Sequence, residues 1–184
     1  MKINTAGTCV AAVMVCALLA GCAADEPATW EEVSAATVQA DATPPVPRQI
    51  TLTATEMVER RNQDDRLVLG MDTIKALRQV KMSTKDGADG QQHTFTGVPI
   101  TDVLDYIRTS PDAKTAEFVA LDDYKVSFPI AELRSSEAIL AVTRDGQELP
   151  VDAGGPIRLA FPDGSALGAN LDNWIWSIAS VEVS

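Results

Sequence analysis

Cysteine is missing from most of this 184-residue chain: all three, Cys9, Cys16 and Cys22, fall in its first 22 residues. Everything after Cys22 therefore has no disulfide, no free thiol and no thiolate metal ligand. Histidine is nearly absent as well, His93 being alone. No zinc-ligand spacing, Ser-His-Asp pattern or phosphate-cradling glycine loop is present. Gly154-Gly155-Pro156 reads as a tight turn, and the neighbours Asp122 and Asp123 as solvated turn carboxylates. A lone His93 reads as a surface or loop residue, or as a hydrogen-bonding group for a ligand. Internal repeats are absent. Positive charge is scarce, with 15 Lys+Arg against 26 Asp+Glu and a net of −11. A field of that sign repels phosphate backbones and anionic headgroups, which argues against nucleic-acid binding. The same acidity also serves plain solubility.

What is there begins with a leader. Lys2 gives a positive start, and Cys9–Ala20 is a charge-free apolar run of 12 residues. That suits a secretory signal, about 7–15 residues, and falls short of the roughly 20 a membrane span needs. Leu19-Ala20-Gly21-Cys22 resembles the bacterial lipobox, in which the cysteine thiol takes the lipid after cleavage before it. Residues 1–21 are thus expected to be removed and Cys22 to be lipidated, leaving the chain in the cell envelope, periplasmic or extracytoplasmic, attached through its lipid alone. Only Lys2 among charged residues is lost with the leader, so the mature chain carries a net of −12. Residues 22–48 read as the anchor and a flexible tether, rich in Ala, Thr, Asp, Glu and Pro and ending Thr43-Pro44-Pro45-Val46-Pro47. Trp30 is its one aromatic residue. Residues 49–184 read as a single domain, long enough to hold itself by its core.

Within it, short elements alternate. Gln49–Thr55 and Arg66–Leu69 read as strands. Asp72 is a candidate cap for a helix to about Val80, with Met71, Ile74 and Leu77 on its inner face. Ser83–Gln91 reads as a loop and His93–Thr96 as extended. Ile100, Val103, Leu104 and Ile107 fall at the spacing of a helical face, giving a helix over Pro99–Ile107. Glu117–Leu121 and Tyr124–Phe128 flank an Asp122-Asp123 turn, and Pro129 opens a helix through Leu133. Asp145-Gly146 joins Ala138–Thr143 to Gln147–Val151 as a type I′ hairpin. Ile157–Phe161 follows, then a turn at Pro162-Asp163-Gly164, and Asn173–Val183 reads as the closing strand. The class is α+β: a mixed, mostly antiparallel sheet system with a few short helices.

This order resembles the sulfite-oxidase-fold, molybdopterin-binding oxidoreductase domain. The likeness is carried by Phe95-Thr96-Gly97-Val98-Pro99-Ile100, Ala120-Leu121-Asp122-Asp123-Tyr124-Lys125-Val126, Ile139-Leu140-Ala141 with Asp145-Gly146, Gly155-Pro156-Ile157-Arg158-Leu159, and Asn173-Trp174-Ile175-Trp176-Ser177-Ile178. It covers roughly Arg66 to the end. Catalytic members hold molybdenum through a cysteine in the first half of the domain, and that half here has none. A soft thiolate holds and tunes such a metal. The resemblance is nearer to small standalone envelope members without that cysteine, which end in an Asn-Trp-x-Trp-Ser motif. Some of those resemble sensors that bind a free reduced pterin and report to the periplasmic part of a cyclic-di-GMP signalling enzyme. It therefore implies a pterin ligand rather than the molybdenum cofactor, no catalytic residues, no metal ligands, and a signalling partner of that kind. Two other readings remain open: a small molybdopterin-dependent oxidoreductase, and an adaptor lipoprotein with a non-functional pocket.

The residues that would carry pterin binding each have a structural alternative. Trp174 and Trp176, two apart on an expected strand, would face one side and stack a flat heterocycle, or simply fill the core. Asp123 offers a carboxylate to paired pterin N–H donors, or serves only its turn. Tyr124 is a rim hydroxyl or a core aromatic. Arg158, among Ile157, Leu159 and Phe161, needs a buried partner, which is either a ligand oxygen or a structural carboxylate. Asn173 offers both a donor and an acceptor ahead of the tryptophans.

Overall fold

A computed structural model describes residues 29–184. The expected leader and the lipidation site Cys22 lie outside the described residues. Two sheets hold the rest. In the first, β1 (Glu31–Ser34), β4 (Gln79–Lys85), β5 (Gln92–Pro99), β8 (Ile139–Arg144) and β10 (Arg158–Ala160) lie side by side, with β9 (Gln147–Glu148) on β8. The second orders β3 (Leu67–Leu69), β2 (Leu52–Glu56), β11 (Ile178–Val183), β6 (Thr115–Ala120) and β7 (Lys125–Pro129). The β2–β11 pair is parallel and the other named pairs are antiparallel. Three short helices complete the α+β fold: α1 (Met71–Ala76), α2 (Ile100–Tyr106) and α3 (Ile130–Ser135).

The local chemistry explains much of this. Ile100, Val103, Leu104 and Ile107 are all buried, so α2 forms because one face pays out apolar area to the core. Asp145 and Gly146 both take positive φ, 51° and 76°, as the tight turn between β8 and β9 requires. A line of aromatic rings crosses the interior. Phe118 and Phe128 meet at 5.9 Å, Phe128 and Phe161 at 6.2 Å, and Phe161 and Trp174 at 5.7 Å. That line ties the second sheet to the segment carrying the tryptophans.

Three expectations are corrected. The helix from Met71 ends at Ala76, with Gly70 rather than Asp72 at its N-cap. The chain then enters β4, whose Val80, Met82 and Thr84 point inward while Lys81, Ser83 and Lys85 face out. The loop expected over Ser83–Gln91 shrinks to the turn between β4 and β5. Second, the closing strand begins at Ile178, not Asn173. Leu171–Asn173 is a 3-10 turn capped by the Asn170 side chain, and Ser177 takes φ 48°, which breaks the extended run. Third, the expected tether is laid on the domain from Thr29 onward. Its Glu31–Ser34 pairs with β4, Trp30 packs on the core, and Pro44 is buried. A polar, proline-containing segment packs here because its backbone finds partners: the Thr37 backbone amide donates to the Ala76 carbonyl at 2.8 Å, and the Asn62 side-chain Nδ2 to the Pro44 carbonyl at 3.2 Å.

Candidate functional site

Arg158 is the centre of the arrangement. It enters from β10, a three-residue strand buried throughout. One edge of β10 pairs with β8, and the other receives the tryptophan segment: the Leu159 amide donates to the Ile175 carbonyl at 3.1 Å. The Arg158 side chain is 0% exposed, and its two terminal nitrogens donate to Asp86 Oδ1 and Oδ2 at 2.7 and 3.1 Å. Asp86 opens the β4–β5 turn and is itself fully buried. Its Oδ2 also accepts from Arg144 at 3.2 Å, and its Oδ1 from the Ala88 amide at 3.1 Å. Four donors therefore occupy this carboxylate. Burial pushes the Arg158 guanidinium down from its ordinary value and the Asp86 hydrogen bonds oppose it. An arginine keeps its charge under such a load. The partner that Arg158 demanded is thus a structural carboxylate. Its Nε–H remains buried without a partner.

Both tryptophans border that guanidinium. The Arg158 Cζ lies 4.7 Å from the Trp176 ring centre, 5.8 Å from Trp174 and 5.3 Å from Phe95. A cation among three rings is held by their negative faces. The two indoles differ sharply in access. Trp174 is 8% exposed, and its ring N–H donates to the Gly168 carbonyl at 2.9 Å. Its ring lies on Gly87, where a Cβ would come within 2.7 Å of the ring carbon Cγ. Trp176 is 38% exposed and lies against Gly154, whose φ of +88° and closeness to the ring both demand glycine. Trp174 thus behaves as a core residue, whereas Trp176 is partly exposed, with Arg158 over its ring and Gly154 against it.

The remaining sequence-selected residues are spread along the rim. Asn173 donates to the Leu167 carbonyl at 2.8 Å, fixing the loop that carries Trp174. The Tyr124 hydroxyl donates to the Asp172 carbonyl at 3.1 Å, so the β6–β7 hairpin leans on the same loop. Asp123 stands exposed at φ 67° on the hairpin tip, its amide bonded to the Ala120 carbonyl. The fold thus brings Arg158, Trp174 and Trp176 together, places Asn173 and Tyr124 beside them, and leaves Asp123 on the outer turn. An open groove of about 510 Å³ runs past Asp86, Gly87 and Trp174, walled by the loop from Pro162 to Ala169. A larger groove of about 790 Å³ lies between Pro45–Thr51, α1, Leu121 and Val151, and none of the six sequence-selected residues lines it.

His93 has a different setting from the one its isolation suggests. Its Nδ1 meets Asp145 Oδ2 at 2.6 Å and its Nε2 meets Asp89 Oδ2 at 3.0 Å. These hydrogen bonds to Asp145 and Asp89 raise its pKa above the ordinary histidine value. The bond from the Gln91 amide and then His93 hold Asp89 below its usual range; the Thr94 amide and then His93 do so for Asp145.

Asp86, Asp89 and Arg144 were not singled out by sequence reasoning, and Asp145 only as a turn residue. One signal for Asp86 existed, the need of Arg158 for a partner, but 26 acidic residues competed for that place.

With this geometry in hand, comparison with known proteins gives a family. Residues 41–183 match the oxidoreductase molybdopterin binding domain, and the chain belongs to that family. It is similar to the putative protein-methionine-sulfoxide reductase subunit YedZ1 of Azospira oryzae, 33% identical over 98 residues, covering 50% of this chain and 36% of that protein. Its fold is like that of the sulfane dehydrogenase SoxCD from Paracoccus pantotrophus, with a TM-score of 0.57 at 17% identity, over 72% of this chain and 37% of that one. The chain thus spans little more than a third of the length of either relative.

The family implies a pterin cofactor that carries molybdenum. The side chains of residues 41–183 do not fit the metal half: they include no cysteine. Among the described residues, the one His/Asp/Glu group with ligand atoms within 4.8 Å of one another is Asp86, Asp89 and His93. Both oxygens of Asp86 are taken by guanidinium groups, and His93 by two carboxylates. Two adjacent arginines also oppose a cation there.

Proposed function

We propose that this chain is an envelope lipoprotein that binds a pterin-type ligand without catalysing a reaction and relays its occupancy to a membrane signalling partner. The observation that carries the reading is the pairing of a molybdopterin-binding family domain with a site that has no thiolate. Trp176 supplies the stacking surface, since aromatic stacking on a heterocycle is worth about 1–3 kcal/mol. Arg158, already neutralised by Asp86, supports Trp176 from beside it. Asn173 and Tyr124 hold the rim. Asp123 contributes a carboxylate only if the ligand reaches the hairpin tip. The partner belongs to the class of cyclic-di-GMP signalling enzymes with a periplasmic domain.

Titration of the processed chain with tetrahydropterin under anaerobic conditions, read by tryptophan quenching, tests this. Trp176→Ala is expected to weaken binding by about 5- to 150-fold, the equivalent of about 1–3 kcal/mol of lost stacking, with little change in melting temperature. Unchanged affinity would remove Trp176 from the site. Likeness to the putative methionine-sulfoxide reductase subunit favours a second reading, a small molybdopterin-dependent oxidoreductase. Stoichiometric molybdenum after expression in a cofactor-competent host, with turnover of a redox dye, would establish it. No ligand at all, with a stable partner recovered, would favour an adaptor.

A further inference from the structure

We propose that Thr29–Pro47 is a strap that turns the Trp174 groove and its Pro162–Ala169 wall toward the membrane and holds them close to the bilayer. This rests on the lipoprotein reading of Cys22. The strap is fixed at points along its whole length. Trp30 lies under the Arg78 guanidinium, 4.9 Å from the ring centre. Glu31 pairs with Lys81 at 3.1 Å, and β1 completes the edge of the first sheet. The Thr37 and Val38 amides share the Ala76 carbonyl, at 2.8 and 3.3 Å. Arg60 donates to the Ala40 carbonyl, Arg108 pairs with Asp41 at 3.0 Å, and Pro47 covers Gly70.

Its two ends lie at different sides of the domain. Thr29 borders a groove shared with α3 and the Pro162–Leu167 loop. That loop also walls the groove beside Trp174. Pro44 and Pro45 are held instead by Asn62, which also bonds the Val68 backbone in β3. Helix α3 follows β7 directly, and β7 and β3 are the opposite edges of the second sheet. Thr29 is therefore held on the site-loop side, not on the β3 side.

The length of the link follows. With Thr29 docked, the seven-residue step from Cys22 to Thr29 bounds how far the lipid site lies from the domain. Such a segment spans at most roughly 25 Å. A free tether to Pro47 would span up to roughly 90 Å, and would hang the domain from its β3 edge. The docked strap keeps the Trp174 groove within reach of a partner held in the same bilayer. It also confines the reach of the domain to the juxtamembrane layer.

The test uses full-length chain processed and reconstituted in vesicles, where an introduced cysteine is the one free thiol. Ala166→Cys reports the site loop and Asp65→Cys the β3 side, each labelled with a donor dye against an acceptor in the lipid headgroups. Transfer from position 166 is expected to exceed that from position 65 by about twofold or more, given a docked reach of roughly 25 Å. Trp30→Ala with Thr37→Pro, which removes the ring and the amide donor, is expected to reduce that difference. Equal transfer from both positions in an acylated chain would overturn the orientation and leave the lipoprotein reading intact. Failure to acylate Cys22 would overturn both.

Discussion

At the scale of residues, the Asp86–Arg158 pair decides how much of the site is scaffold. Both partners are fully buried, and the carboxylate has no acceptor site to spare. Removing one partner strands the other charge, a loss of about 3–5 kcal/mol, whereas replacing both by apolar residues is often nearly neutral. Asp86→Ala is thus expected to lower urea-unfolding stability by about 3–5 kcal/mol, and Asp86→Leu with Arg158→Met to recover most of it. A double variant as unstable as the single one would show that the pair contributes more than its mutual neutralisation. The tryptophans separate in the same way. Trp174→Ala removes a buried ring and its bond to Gly168, and is expected to cost about 3–5 kcal/mol of stability. A Trp174→Ala chain as stable as the parent would contradict its assignment to the core. Sequence reasoning saw that Arg158 needed a partner and that the two indoles were close in the chain. It did not see their difference in exposure, because Trp174 and Trp176 follow a 3-10 turn and precede the strand that begins at Ile178, so two-residue strand alternation does not govern which way they face.

At the scale of elements, the turns were the most legible features. Asp145-Gly146 and Asp122-Asp123 lie where their chemistry puts them, between β8 and β9 and between β6 and β7. β4 was missed although its two-residue alternation is written in Gln79–Lys85. The apolar spacing of Met71, Ile74 and Leu77 extended the helix reading past Ala76, and Ser83, Thr84 and Asp86 then passed for loop. Two of these turns are joined by His93, which links Asp89 on the β4–β5 turn to Asp145 on the β8–β9 turn. The folded state raises the His93 pKa, so its contribution is complete below the ordinary histidine value of about 6.5 and is lost as pH rises through the raised one. The carboxylates are lowered, so theirs is present above about 3.9 and is lost as pH falls through the lowered values. The stability advantage over His93→Gln is therefore expected to peak between about pH 5 and 6.5 and to shrink toward pH 9. Because both carboxylates are solvent-exposed, the difference is expected to be small and to shrink further at high salt. Unfolding at a series of pH values checks this, and a pH-independent difference would contradict it.

At the scale of the whole molecule, the α+β class and the family were legible because five short motifs fall in order along one chain. The tether was misread from Thr29 onward because composition reports solubility, not edges. β1 exposes all four of its residues, so nothing in its pattern marks it as the strand that covers β4. The domain as a whole keeps the family fold, and residues 41–183 bring no thiolate to it. That combination is the basis for proposing a receptor for a free pterin. The most direct measurement is mass spectrometry of small molecules released from the mature chain, purified anaerobically from its native envelope, with metal analysis on the same sample. The account predicts a free pterin at near one equivalent and no molybdenum. A pyranopterin–dithiolene product accompanied by stoichiometric molybdenum would contradict it and return the chain to the oxidoreductases.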